Sequence, residues 1–149
     1  MDVPGLLEKT QLFHGATADD LRAVAQTGTA VAHAGGEAVY DSGSAADALY
    51  MIEIGTVEIR ARDSDQILAT YGSGQLFGEL PFFGRADIRK RVGRAVAREH
   101  CSLLRLAYAD LERVLAARPA LAVVVYRNAC LFAVQVLREL TPLMQRPYF

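Results

Sequence analysis

One carboxylate stands alone in the run Gly74-Gln75-Leu76-Phe77-Gly78-Glu79-Leu80-Pro81-Phe82-Phe83-Gly84, flanked by glycines and apolar side chains. An ionised group in such company is costly unless a partner meets its charge. Cations follow at once, at Arg85, Arg89, Lys90, Arg91 and Arg94. The chemistry on offer is non-covalent: an acceptor, several cations and a bare backbone at Gly78. His14, His33 and His100 are scattered and build no metal or catalytic constellation. Ser42, Ser44, Ser64, Ser73 and Ser102 have no partnered His and Asp at suggestive positions. Nothing here reads as an enzyme, and no metal is expected. The bland reading of Arg89-Lys90-Arg91 is a solvated loop, the usual fate of a short charge run, free to touch an acidic partner or nucleic acid.

The chain that must position these groups has 149 residues, 52% of them hydrophobic and 22% charged. That suits one globular domain with a well-buried core. A formal net charge of -1 excludes polyanion binding by bulk attraction. Cys101 and Cys130 show no metal or redox spacing and read as free thiols of a reducing compartment. The N-terminus lacks a basic segment followed by an apolar one, so no signal peptide is expected and the localisation is read as cytoplasmic. The most apolar segment, Leu121 to Leu137, carries Arg127, Asn128 and Gln135, which argues against a membrane span.

Residues 1–28 read as helical, with Thr17 the N-cap of a helix that carries Asp19 and Asp20 in its first turn. From 29 to 107 the pattern changes to short strands punctuated by turns, the mark of an antiparallel barrel or jelly roll. Residues 108–141 return to helix: an amphipathic one over Asp110 to Ala117, then a second opened by Pro119 and running to about Glu139 or Leu140. The second helix is apolar on most sides and is therefore expected to be buried on most sides, with a partner's equivalent helix covering what the barrel does not.

In order along the chain, "LFHGATADDL", "GGEAVYDSGSAADALYMIEIGTVEI", "GQLFGEL" and "AVAREHCSLLRLAYADLERVLAARPAL" resemble the cyclic nucleotide-binding domain family, the sensor module of catabolite-activator proteins, cyclic-nucleotide-dependent kinases and gated channels. The resemblance spans nearly the whole chain. It implies a mainly β fold, a jelly-roll barrel (double-stranded β-helix) with N-terminal helices and two C-terminal helices. Residues of about 74–94 would form its phosphate-binding cassette. It further implies that Glu79 accepts from a ribose 2'-hydroxyl and that an arginine meets the cyclic phosphate. Counting back from "CSLLRL" puts Arg91 there, with Arg94 the second candidate. Gly78, Glu79, Leu80, Arg91, Val92 and Arg94 make up the expected ligand-binding set.

Two departures bear on occupancy. Val92 stands where the family usually has Ser, Thr or Ala, so only its N–H remains. Pro81 stands where a backbone N–H usually donates to the phosphate, and proline has none. The function implied is a non-enzymatic sensor of a cyclic mononucleotide. cAMP is favoured over cGMP because no Thr hydroxyl follows Arg91, and a cyclic dinucleotide is also conceivable given the surplus of cations. The alternative is a degenerate fold that no longer binds nucleotide and serves as a dimerisation or interaction module. The expected partners are a second copy through the last helix and an unidentified effector protein. No helix-turn-helix follows that helix, so direct DNA binding by this chain is not expected. Tyr126 and Phe132 are the candidates for stacking on a purine.

Overall fold

The computed structural model describes residues 2–143. The expected domain runs to Phe149, so Met1 and residues 144–149 lie outside the described residues. Helix α1, Val3–Lys9, starts at Asp2, whose side chain accepts from the Gly5 amide at 3.1 Å. Helix α2, Ala18–Gln26, is capped as expected: the Thr17 hydroxyl accepts from the Asp20 amide at 3.2 Å.

Eight strands follow: β1 Thr29–His33, β2 Ala38–Tyr40, β3 Ala48–Ile54, β4 Val57–Arg60, β5 Ile67–Tyr71, β6 Leu76–Phe77, β7 Arg94–Ala97 and β8 Cys101–Ala107. They make two four-stranded sheets of order β1-β8-β3-β6 and β2-β7-β4-β5, every pairing antiparallel. This is the expected jelly-roll barrel. Between β6 and β7 lie the short helix α3, Leu80–Phe83, and a 3-10 turn at Ala86–Ile88.

The β1-β8-β3-β6 sheet is covered on both faces, which explains why β3 is apolar without alternation. Side chains of a strand point alternately to opposite faces. Ala48, Tyr50 and Ile52 therefore turn into the barrel with Phe77 and Leu103, while Leu49 and Met51 turn outward with Leu104 and Leu106. The outward set joins Phe13, Leu21, Leu111 and Leu121 in a second core beneath the helices. One sheet thus separates two cores and couples the barrel to its helical cover.

Helix α4 spans Tyr108–Ala117 and α5 spans Pro119–Leu140. The first begins two residues before the expected start. The break between them falls at Arg118, whose backbone leaves the helical region (φ -131°, ψ 78°) because a following proline disfavours it there. The Arg118 guanidinium closes the corner on Asp19 at 2.9 Å and Asp20 at 2.8 Å, which holds the Asp19 carboxyl below its usual range. Within α5, Asn128 donates to the carbonyls of Leu12 and His14, both at 2.9 Å, so the polar group in the apolar helix ties it to the segment after α1. Residues 119–143 are long and apolar enough to cross a membrane by length and composition; these hydrogen bonds and the burial of Leu121 and Val125 dock the helix on the domain instead.

The chain itself buries one face of α5, at Leu121 and Val125, and leaves Val123, Tyr126, Leu131 and Val134 exposed, the part of the helix for which a partner's cover is expected. A single barrel is too small to surround a 22-residue helix. Leu121→Ala is expected to lower stability by about 2–5 kcal/mol in urea unfolding, whereas Leu68→Ala, at an exposed strand position, should stay within about 0.5 kcal/mol.

Candidate functional site

Strand β6 delivers the chain to Gly78, where φ is +81°, a left-handed conformation that glycine adopts without a Cβ penalty. A Cβ here would also stand 3.0 Å from Nη1 of Arg91. The close approach at Gly78 is therefore to the arginine, a reason the sequence alone does not supply. Glu79 follows as the N-cap of α3, and Pro81 occupies a position in the first turn where its ring is tolerated. The Phe82 amide donates to the Glu79 carbonyl at 3.0 Å.

Arg91 is 4% exposed and has no ion-pair partner among the described residues. Its Nη1 donates to the Gly78 carbonyl at 3.0 Å and its Nη2 to the Ala48 carbonyl. Its Nε is buried and unpartnered. The guanidinium lies 4.0 Å from the centre of the Tyr40 ring. Carbonyl dipoles and a π face satisfy this cation, but no negative charge neutralises it. The alternative of a fully solvated loop does not hold: Arg91 is buried and Arg89 partly so, while Lys90 is exposed.

Glu79 is half-buried and likewise has no ion-pair partner among the described residues. Burial pushes its carboxyl above the usual range, opposed by its own backbone N–H and by the nearby Arg91. Burial also pushes the phenols of Tyr40 and Tyr108 up to about 12, with Arg91 pulling each downward. Tyr71 is raised as well, by burial and then by Glu79. Sequence reasoning missed these tyrosines. Tyr40 and Tyr71 end strands and turn into the barrel, and only strand alternation could have hinted at that.

The remaining candidates are dispersed. Arg94 opens β7 and pairs with Asp65 at 3.0 Å, so it does not join Gly78, Glu79 and Arg91. Val92 is 84% exposed, and Leu80 is exposed beside the cavity described next. That cavity, of ≈ 670 Å³, is bounded by Glu79, Leu80 and Phe83 on one side and by Phe132 and Val136 of α5 on the other. Its size lies in the range of about 300–1,000 Å³ common for small-molecule pockets. Phe132 faces it. Tyr126 packs edge-on against Phe83 at 5.7 Å instead.

A second arginine also proves important. Arg89 donates to the Phe82 carbonyl at 3.0 Å and pairs with Glu112 of α4 at 2.8 Å. Its guanidinium lies 5.3 Å from the ring centres of both Phe82 and Tyr108. The Tyr108 hydroxyl donates to the same Gly78 carbonyl that Arg91 uses.

A sequence profile described as "Cyclic nucleotide-binding domain" matches residues 30–118. A candidate potassium channel protein of Rhodopseudomonas palustris is 33% identical over 118 residues, which make up 78% of this chain and 28% of that relative. The chain thus spans little more than a quarter of the length of the curated relative it matches. Among solved structures, the N-terminal domain of a transcriptional regulator from Streptomyces coelicolor A3(2) superposes with a TM-score of 0.76 at 26% identity, covering 95% of this chain and 98% of that one. The catabolite activator protein of Thermus thermophilus gives 0.71 at 28% identity, covering 87% of this chain and 59% of that one.

The raised pKa of Glu79 has a stability consequence. The folded protein binds this proton more tightly than the unfolded chain, so ionisation costs stability as pH rises above about 4.3. Glu79→Gln should therefore raise the urea midpoint at pH 7, and the gain should vanish at pH 4. An equal gain at both values would show that the carboxylate is not strained by burial.

Proposed function

This chain belongs to the cyclic nucleotide-binding domain family, and on that premise we propose that it is a non-enzymatic, cytoplasmic sensor whose cassette takes a cyclic mononucleotide, cAMP in preference to cGMP. One observation carries the reading: a buried guanidinium, Arg91, that makes no ion pair among the described residues and donates to the carbonyl of Gly78, the residue just before the likewise unpaired Glu79. A cyclic phosphate supplies the missing negative charge, and the ribose 2'-hydroxyl supplies a donor for Glu79. Gly78, Glu79, Leu80, Arg91 and the Val92 N–H make up the site. Arg94 is left out, because Asp65 already holds it. The apolar wall at Phe132 and Val136 is the place for the purine. The lack of a Thr hydroxyl after Arg91 favours adenine over guanine.

Occupancy shifts the population of two arrangements of the cassette and α4, and α5 relays the change to an effector protein. The exposed apolar side chains Val123, Tyr126 and Val134 support a homodimer through α5. A second reading has its own support. Pro81 removes a phosphate donor, and the carbonyls of Gly78 and Ala48 already occupy both Nη groups of Arg91. On that reading the fold is kept as an interaction module without a ligand.

Titration calorimetry separates the two. Micromolar binding of cAMP, weakened about 10- to 150-fold by Arg91→Ala and unchanged by Arg94→Ala, is the expected result. Absence of heat and of thermal shift at millimolar cAMP and cGMP favours the module. For the dimer, sedimentation equilibrium should give twice the mass of one chain, and Val134→Glu should return it to the monomer.

A further inference from the structure

Tyr71 closes β5, where it pairs with Val57, a residue wholly buried inside the barrel. Directly opposed residues share a face of the sheet, so the Tyr71 ring also turns inward. It stacks on Phe77, with the ring centres 6.0 Å apart and the planes 21° from parallel. Phe77 stands two residues before Glu79, so the stack brings the phenol to the head of the cassette. Tyr71 and Glu79 line the same cavity of ≈ 670 Å³. Among the described residues Tyr108 is the only tyrosine whose hydroxyl donates to the protein, which leaves the Tyr71 hydroxyl available to a ligand.

The use of that hydroxyl follows from the chemistry of the group assigned to Glu79, and so rests on the nucleotide reading above. A hydroxyl carries one hydrogen and two acceptor lone pairs. An ionised carboxylate only accepts. Glu79 therefore takes the hydrogen of a ribose 2'-hydroxyl and leaves that oxygen's lone pairs unmet. Beside an apolar wall an unmet acceptor costs binding, so a second group must donate. Tyr71 keeps its proton for this, because burial and then the Glu79 charge push its phenol above the usual range. Other polar side chains around the cavity are spent or turned to water. Asn128 gives its amide hydrogens to the carbonyls of Leu12 and His14, and Thr10 gives its hydroxyl hydrogen to that of Leu7. Lys9, Gln11 and Gln75 are exposed.

We propose that Tyr71 is a specificity-determining residue of the nucleotide site: its hydroxyl donates to the ribose 2'-oxygen while Glu79 accepts the 2'-hydrogen, so that the pair selects ribose over deoxyribose. Two protein groups then depend on one ligand hydroxyl. A 2'-deoxy ligand leaves both of them unmatched, which is the costly way to lose a polar contact.

A double-mutant cycle that crosses the side chain with the sugar isolates this contact. Titration calorimetry on the full chain measures cAMP and 2'-deoxy-cAMP against the parent and against Tyr71→Phe, which keeps the ring and its stack on Phe77. The variant should bind cAMP about two- to tenfold more weakly and 2'-deoxy-cAMP with unchanged affinity. A merely structural role would weaken both ligands alike. Equal losses for the two ligands, or no loss for cAMP, overturn the assignment of Tyr71 and leave the nucleotide reading in place. Absence of cAMP binding by the parent at millimolar concentration removes the nucleotide reading and the role of Tyr71 with it.

Discussion

The buried charge of Arg91 constrains everything around it. A guanidinium removed from water needs its N–H groups met and, ordinarily, its charge balanced. This fold meets the first need with two backbone carbonyls and an aromatic face and leaves the second open. Gly78 must lack a side chain so that its backbone can approach the guanidinium, and Tyr40 must lie flat against it. The same carbonyl that steadies Arg91 also engages the first residue of α4, so a local electrostatic problem becomes a link between the barrel and its helices.

That link works because the two halves of the domain share one sheet. β3 and β8 send alternate side chains into the barrel and into the helical core, so neither core can be repacked without the other responding. Helices α4 and α5 are then set by the corner at Arg118, where proline geometry and two aspartates of α2 fix the turn. The cassette touches this framework at few points, chiefly Phe82 against Tyr108 and Phe83 against Tyr126. A small group of contacts can respond to a ligand without unfolding the barrel.

Much of this was legible in the sequence because its causes are local. A hydroxyl before two aspartates caps α2, a proline opens α5, and glycines mark the strand turns. Counting back from the next strand puts Arg91 before Arg94 as the cassette's arginine; the structure buries Arg91 and pairs Arg94 with Asp65. Arg89 was not legible. In sequence it is one cation in a basic run, and only the return of α4 beside the loop supplies its carboxylate, Glu112, and the Tyr108 ring. That α5 would keep an apolar face its own barrel does not cover was legible, but which side chains stay exposed depends on how the helix docks.

By itself the sequence determined the element order, the barrel, the boundaries of α4 and α5 to within two residues and the family to which the cassette belongs. These follow from alternation, caps, prolines and glycines, all of which act within a few residues. Tertiary structure alone decided which arginine is buried and which is paired, that Glu79 makes no ion pair among the described residues, and that Tyr108 and Glu112 face the cassette. The reason is physical. Burial and charge pairing depend on groups as distant in the chain as Ala48, Gly78 and Tyr108, and only the closed barrel brings their carbonyl, peptide and hydroxyl to one point.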